Sequence, residues 1–199
     1  MMRIPILLTS IALVVLSLAA KNDGANSLAG NSLTTTNTVT AQGPTRFSSG
    51  YSALTKCGSG MTKKEERDAE KHGSDIPSRC KGFGGYVVDI SYSACASNIT
   101  VEKGETRIGL AMQTINYAQK TVEWRLANGR PFAVIMRVYE YGGNDLCSTD
   151  GKVTGESLIV KGLKGFEHID EEVKVKGTPN PNAKARELAD KGYAKPKTQ

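Results

Sequence analysis

The chain has 199 residues, 26 basic and 20 acidic, for a formal net charge of +6, and 39% of its residues are hydrophobic. That is enough for one ordinary domain with its own core. Its basic excess is mild and interspersed with acidic residues, and aromatics make up only 6%, which excludes the clustered Lys/Arg face with interleaved stacking rings of a nucleic-acid binder.

The N-terminus reads Met1-Met2-Arg3 and then an apolar run over residues 4–20, broken only by Pro5, Thr9, Ser10 and Ser17. A basic start, an apolar stretch and small residues at its end have the form of a secretory signal peptide, with cleavage expected next to Ala20. The alternative is a membrane anchor, the one route by which this chain is expected to meet a bilayer. A spanning helix needs about 20 apolar residues, and this run is slightly short and carries Pro5 near its start. Export places the chain in the periplasm or outside the cell and makes its four cysteines disulfide candidates. Residues 21–45 are rich in Asn, Ser, Thr and Gly and nearly free of large apolar side chains. They bury too little to offset the cost of ordering and are read as a disordered tether. Residues 46–194 are expected to form a single disulfide-stabilised domain, and 195–199 a flexible tail.

Along that domain, residues 51–57 open the fold. Residues 61–75 carry Lys63, Lys64, Glu65, Glu66, Arg67, Asp68, Glu70 and Lys71 with almost no apolar face, which predicts a solvated loop or short surface helix between Cys57 and Cys80. Gly82-Phe83-Gly84-Gly85 is a turn requiring free backbone angles. It leads into a strand over Tyr86-Val87-Val88-Asp89-Ile90-Ser91-Tyr92, whose alternate members Tyr86, Val88, Ile90 and Tyr92 share a face. Ser97-Asn98-Ile99-Thr100-Val101-Glu102 is a second strand, and residues 107–117 fit a strand or a short helix.

The clearest element is a hairpin. Thr121-Val122-Glu123-Trp124-Arg125-Leu126 runs in, Asn128-Gly129 makes a type I′ turn because both positions need positive φ, and residues 131–139 return. An unbroken register sets Leu126 opposite Pro131, Trp124 opposite Ala133 and Val122 opposite Ile135. It also puts Glu123 and Arg125 on one face with Phe132, Val134 and Met136. Further strands are expected over 157–163 and 172–176. Asn180-Pro181 then opens a helix that continues through 183–191 and stops at Gly192. Strands dominate and one helix closes the chain, which predicts an α+β, mainly β domain: an antiparallel sheet or small sandwich with one C-terminal helix packed on it.

Cys80-Lys81-Gly82-Phe83-Gly84-Gly85-Tyr86 resembles the Cys-x-Gly-x-Gly-Gly-Tyr segment of a family of small exported bacterial proteins of unknown function. Glu123-Trp124-Arg125 with Pro131-Phe132-Ala133 is similar to that family's central hairpin, and residues 182–190 to its C-terminal helix. Where the family carries an acidic-x-Arg segment, this chain has Ser93-Ala94-Cys95-Ala96-Ser97, which pairs an additional cysteine with Cys147. The resemblance implies export and architecture and no activity.

Four cysteines allow three pairings. Cys57 with Cys80 and Cys95 with Cys147 is the expected set, because the shorter bridge ties down a charged segment that lacks a core. No Cys-x-x-Cys pair or zinc-type spacing is present, so neither redox chemistry nor a metal is expected, and no cofactor. His168, beside Glu167 and Asp170, is a candidate general base, but no nucleophile elbow accompanies it, and no catalytic residue is assigned. Gly82 to Gly85 enters a strand and is no phosphate loop.

Glu123, Arg125 and Arg137 sit in the most apolar stretch, where an unpaired charge is costly. They form either a Glu–Arg network that locks the sheet or, with Tyr86 and Trp124 beside the two arginines, a patch that binds an anion or polymer. The candidate binding residues are therefore Tyr86, Trp124, Arg125 and Arg137. The function these features predict is a non-enzymatic binding module of the bacterial envelope. Its partner is expected to be an envelope protein, such as a hydrolase it inhibits, or an anionic polymer. A hydrolase using His168 and a structural envelope protein are the alternatives.

Overall fold

The computed structural model describes residues 43–55, 57–114, 120–142, 147 and 152–195. The expected signal segment and nearly all of the expected tether lie outside them. In chain order the elements are β1 (Phe47–Ala53), α1 (Lys63–Lys71), β2 (Ser78–Lys81), β3 (Val87–Ser93), β4 (Ala96–Lys103), β5 (Thr106–Thr114), β6 (Thr121–Ala127), β7 (Arg130–Tyr141), β8 (Val153–Gly162), β9 (Asp170–Lys174) and α2 (Pro181–Ala194). The ambiguous stretch after Arg107 is a strand as far as Thr114; 115–117 lie outside the described residues.

Among the described residues the strands form two antiparallel sheets, one ordered β1-β6-β7-β8-β9 and the other β2-β3-β4-β5. The fold is α+β and mainly β, with α2 packed on the five-stranded sheet. Two apolar layers follow from the strand alternation. Val88, Ile90, Ile99 and Val101 from the smaller sheet, with Tyr86 just before β3, meet Val122, Trp124, Leu126, Val134 and Met136 from the larger one. On the other face, Phe132, Ala133, Ile135, Leu158, Val160 and Val173 receive Ala185 and Ala189 of α2. Strand β6 lies between these layers and is buried at every position from Val122 to Ala127.

The hairpin turn forms as expected, with Asn128 and Gly129 at φ 49° and 79°. Its register differs. Leu126 pairs with Pro131, but a bulge follows, so Arg125 pairs with Ala133, Trp124 with Val134 and Glu123 with Ile135. Phe132 is the extra residue on β7. A bulge of this kind turns all residues beyond it to the other face. Val134 and Met136 therefore join Trp124 between the sheets, and Ala133 and Ile135 face α2 with Glu123 and Arg125. A two-residue turn determines the pairing next to it and cannot reveal a bulge two positions further on.

Both expected disulfides are present, Cys57–Cys80 and Cys95–Cys147, and bridges of this kind are consistent with an oxidising compartment. The shorter one tethers α1, which buries none of its side chains and is held locally by a capping box between Thr62 and Glu65. In the glycine turn, Gly84 and Gly85 adopt positive φ. Gly82 does not: a Cβ there would come within 2.6 Å of the Trp124 ring, so this position is small to admit the indole.

Helix α2 runs through Gly192 to Ala194 instead of ending there. A Cβ at Gly192 would lie 2.6 Å from Cγ1 of Ile169; the missing side chain lets the helix seat against the loop before β9. Asn180 precedes the helix in a left-handed conformation, φ 47°, and its side chain makes no capping bond. Among the described residues no helix is long and apolar enough to cross a membrane.

Candidate functional site

Because β6 is covered on both faces, its alternation distributes the candidate residues to opposite sides. Trp124 points between the sheets and is fully buried. Its indole packs 5.9 Å from the ring of Tyr86, which is buried too, and its Nε1 donates to Ser52 Oγ at 3.0 Å. That hydroxyl donates in turn to the Lys81 carbonyl at 2.7 Å. Arg125 points the other way, toward α2, and Arg137 of β7 lies on the same face as Arg125. The four candidate binding residues therefore do not form one patch: the sheet separates the two rings from the two arginines.

On the helix side the charges are paired. Arg125 donates from Nε and Nη2 to Asp190 Oδ1 at 3.1 and 2.9 Å, and from Nη2 to Oδ2 at 2.6 Å. Two residues back on β6, Glu123 accepts from Arg186 Nε at 2.6 Å and from Nη2 at 3.1 Å. Ser49 of β1 joins the two pairs, donating to Glu123 Oε1 and accepting from Arg125 Nη1, both at 2.6 Å. These hydrogen bonds to Glu123 hold the Arg186 guanidinium above its ordinary pKa, so it stays charged at any workable pH. Arg137 pairs separately with Glu156 of β8 at 2.5 Å.

The expected Glu–Arg network is thus real, but its partners come from the helix. Arg186 and Asp190 escaped the reading of the sequence, although their spacing held a signal. Two residues along a strand advance about 6.6 Å and four along a helix about 6 Å. Glu123 and Arg125 therefore match Arg186 and Asp190 in both spacing and opposite sign.

His168 is exposed and donates from Nε2 to the Gly192 carbonyl at 2.9 Å. It connects the loop before β9 to the last turn of α2. Among the described residues no cluster of three or more His, Cys, Asp or Glu side chains is arranged to hold a metal ion.

Where the first turn of α2 meets the sheet, a groove of about 170 Å³ opens, with Tyr51, Glu123, Arg137 and Asn182 among its walls. Among the described residues Tyr51 is the most exposed of the large hydrophobic side chains, at 55%. No family model matches the chain, and no curated protein or solved structure matches it.

Proposed function

We propose that this chain is an exported, non-enzymatic binding module of the bacterial envelope, periplasmic or secreted, and that its partner is an envelope polymer. The observation that carries the reading is the groove beside Tyr51 and Arg137, an exposed aromatic ring on the edge strand β1 and a guanidinium on the central strand β7. Sites that bind without reacting need a shaped apolar surface and a few fixed polar groups, and this one has both. The rival hydrolase reading depends on His168, whose ring is engaged with the helix backbone. The apolar leader, the two disulfides and the resemblance to small exported proteins support export. The anionic character expected of the polymer rested on Arg125 and Arg137 together, and Arg125 is already bound to Asp190.

Two measurements on the native host test this. N-terminal sequencing of the protein recovered from the envelope fraction is expected to begin at Ala20 or Lys21. Pull-down from solubilised envelope is expected to retain cell-wall or surface polymer on the parent protein. An intact Met1 in the integral membrane fraction overturns the export reading, and hydrolysis of the retained polymer overturns the non-enzymatic one.

A further inference from the structure

The groove at the start of α2 has a composition that selects among ligands. Its floor is the buried pair Ile135 and Leu158, and its rim carries Tyr51, Thr121 and Asn182. Its volume, about 170 Å³, is close to that of the ~150 Å³ cavity that admits one benzene ring. The space therefore suits one six-membered ring, with the Tyr51 aromatic face available as a wall.

The charges around it cancel. Glu123 is matched by Arg186, and Arg137 by Glu156. A ligand bringing a net charge would lose hydration and find no uncompensated partner. Hydrogen-bonding capacity, in contrast, is left over in both senses. Among the described residues the Thr121 hydroxyl and the Asn182 amide have no protein partner, and Arg137 engages Glu156 through Nη1 alone, leaving Nε and Nη2 open. Donors and acceptors fixed around an apolar floor match a ring bearing several hydroxyls, each of which both donates and accepts. The apolar C–H face of such a ring fits against an aromatic side chain.

We infer that this groove is a subsite for one uncharged sugar ring of an envelope glycan. The inference rests on the binding-module reading above and names its ligand. Tyr51 packs on the ring, and Arg137, Asn182 and Thr121 address its hydroxyls.

The test is an NMR titration of the isotope-labelled full chain with chitotriose and cellotriose as neutral probes and trigalacturonate as the anionic one. At least one neutral trisaccharide is expected to give saturable shifts at the amides of Tyr51, Ile135 and Asn182. Tyr51→Ala and Thr121→Val are each expected to weaken binding about tenfold, the loss of one contact. Tyr51→Phe, which keeps the ring, is expected to bind like the parent. Tyr51 and Thr121 are both exposed at the rim, and the Tyr51 hydroxyl accepts one bond, at 3.1 Å, from Arg186 Nη2, so unchanged melting temperatures verify the fold. Absence of saturable shifts with both neutral probes, tighter binding of trigalacturonate than of either, or parent-like affinity of Tyr51→Ala overturns the assignment. The broader reading fails separately. Envelope polymer retained equally by the parent and Tyr51→Ala removes the groove and keeps the binding module. Sugar binding by a protein recovered only from the cytosol keeps the groove and removes the envelope.

Discussion

Arg125 on β6 closes on Asp190 of α2 in a forked pair, with both carboxylate oxygens engaged and the shortest contact at 2.6 Å. Its side chain is 7% exposed and that of Asp190 25%, so the pair is largely shielded from water. This pair and its neighbour, Glu123 with Arg186, hold the C-terminal helix to β6 of the larger sheet.

Arg125→Met is therefore expected to leave Asp190, and not Glu123, without its partner. Breaking a fully buried pair costs about 3–5 kcal/mol and an exposed one at most about 1; this intermediate case is expected to cost roughly 2 kcal/mol. Asp190→Asn is expected to be destabilising as well, and the double variant to recover at least ~0.5 kcal/mol of the summed loss, as contacting residues do. Urea denaturation of the four proteins measures the cycle. Additive losses would mean that the guanidinium and carboxylate do not interact in solution. Glu123→Gln with Arg125→Met is expected to couple more weakly, because those two meet only through Ser49.

Gly192→Ala has an expected sign opposite to that of an ordinary helix position. On an exposed helix face Ala is better than Gly by about 1 kcal/mol. Here the new methyl would meet Ile169 at 2.6 Å, an overpacking that costs typically ~1–3 kcal/mol. Thermal melts are expected to show a loss in Gly192→Ala, and a smaller loss from the same change in an Ile169→Ala background, where the γ carbon it meets is gone. A melting temperature above the parent's would place the helix further from the loop.

Gly129→Val is expected to destabilise by about 1–2 kcal/mol. The position has φ 79°, and a side chain in the left-handed region carries a cost of that order, greatest when β-branched. Gly129→Asn is expected to be tolerated better, since Asn enters this region readily. Equal melting of the Val variant and the parent would contradict the turn.

Peptide mapping of non-reduced protein is expected to return Cys57–Cys80 and Cys95–Cys147 as the linked pairs. Cys57→Ser is expected to lower stability by roughly 2–4 kcal/mol, mainly by releasing the unfolded chain. The thiol left at Cys80 belongs to a residue only 2% exposed. It is expected to react with maleimide slowly in the native protein and rapidly in urea. Fast labelling without denaturant would mean that β2 detaches once the bridge is gone.

Local chemistry made much of this architecture readable. The Asn128-Gly129 turn, the alternation through Val88 and Ile90 and the solvated charge run from Lys63 to Lys71 each depend on residues near one another in the chain, and the Cys57–Cys80 bridge closes around that charge run. The groove was not readable in this way. Its walls come from β1, β6, β7, β8 and the first turn of α2, and Tyr51 and Asn182 look unremarkable in their own segments. Tyr86 and Trp124 attracted attention as aromatics beside arginines, but neighbours along a strand point to opposite faces, and both rings became core.

Strand, turn and helix type and the presence of a charged network followed from side-chain chemistry over a few residues, because backbone conformation and apolar periodicity are short-range properties. Which charges meet, which face of β6 each candidate occupies and where a groove remains open depended on the docking of α2 and on the bulge at Phe132. Both are long-range matters: the helix was seated by its match to strand residues some sixty positions earlier, with Asp190 on Arg125 and Arg186 on Glu123, and a single extra residue on β7 reversed the facing of everything beyond it.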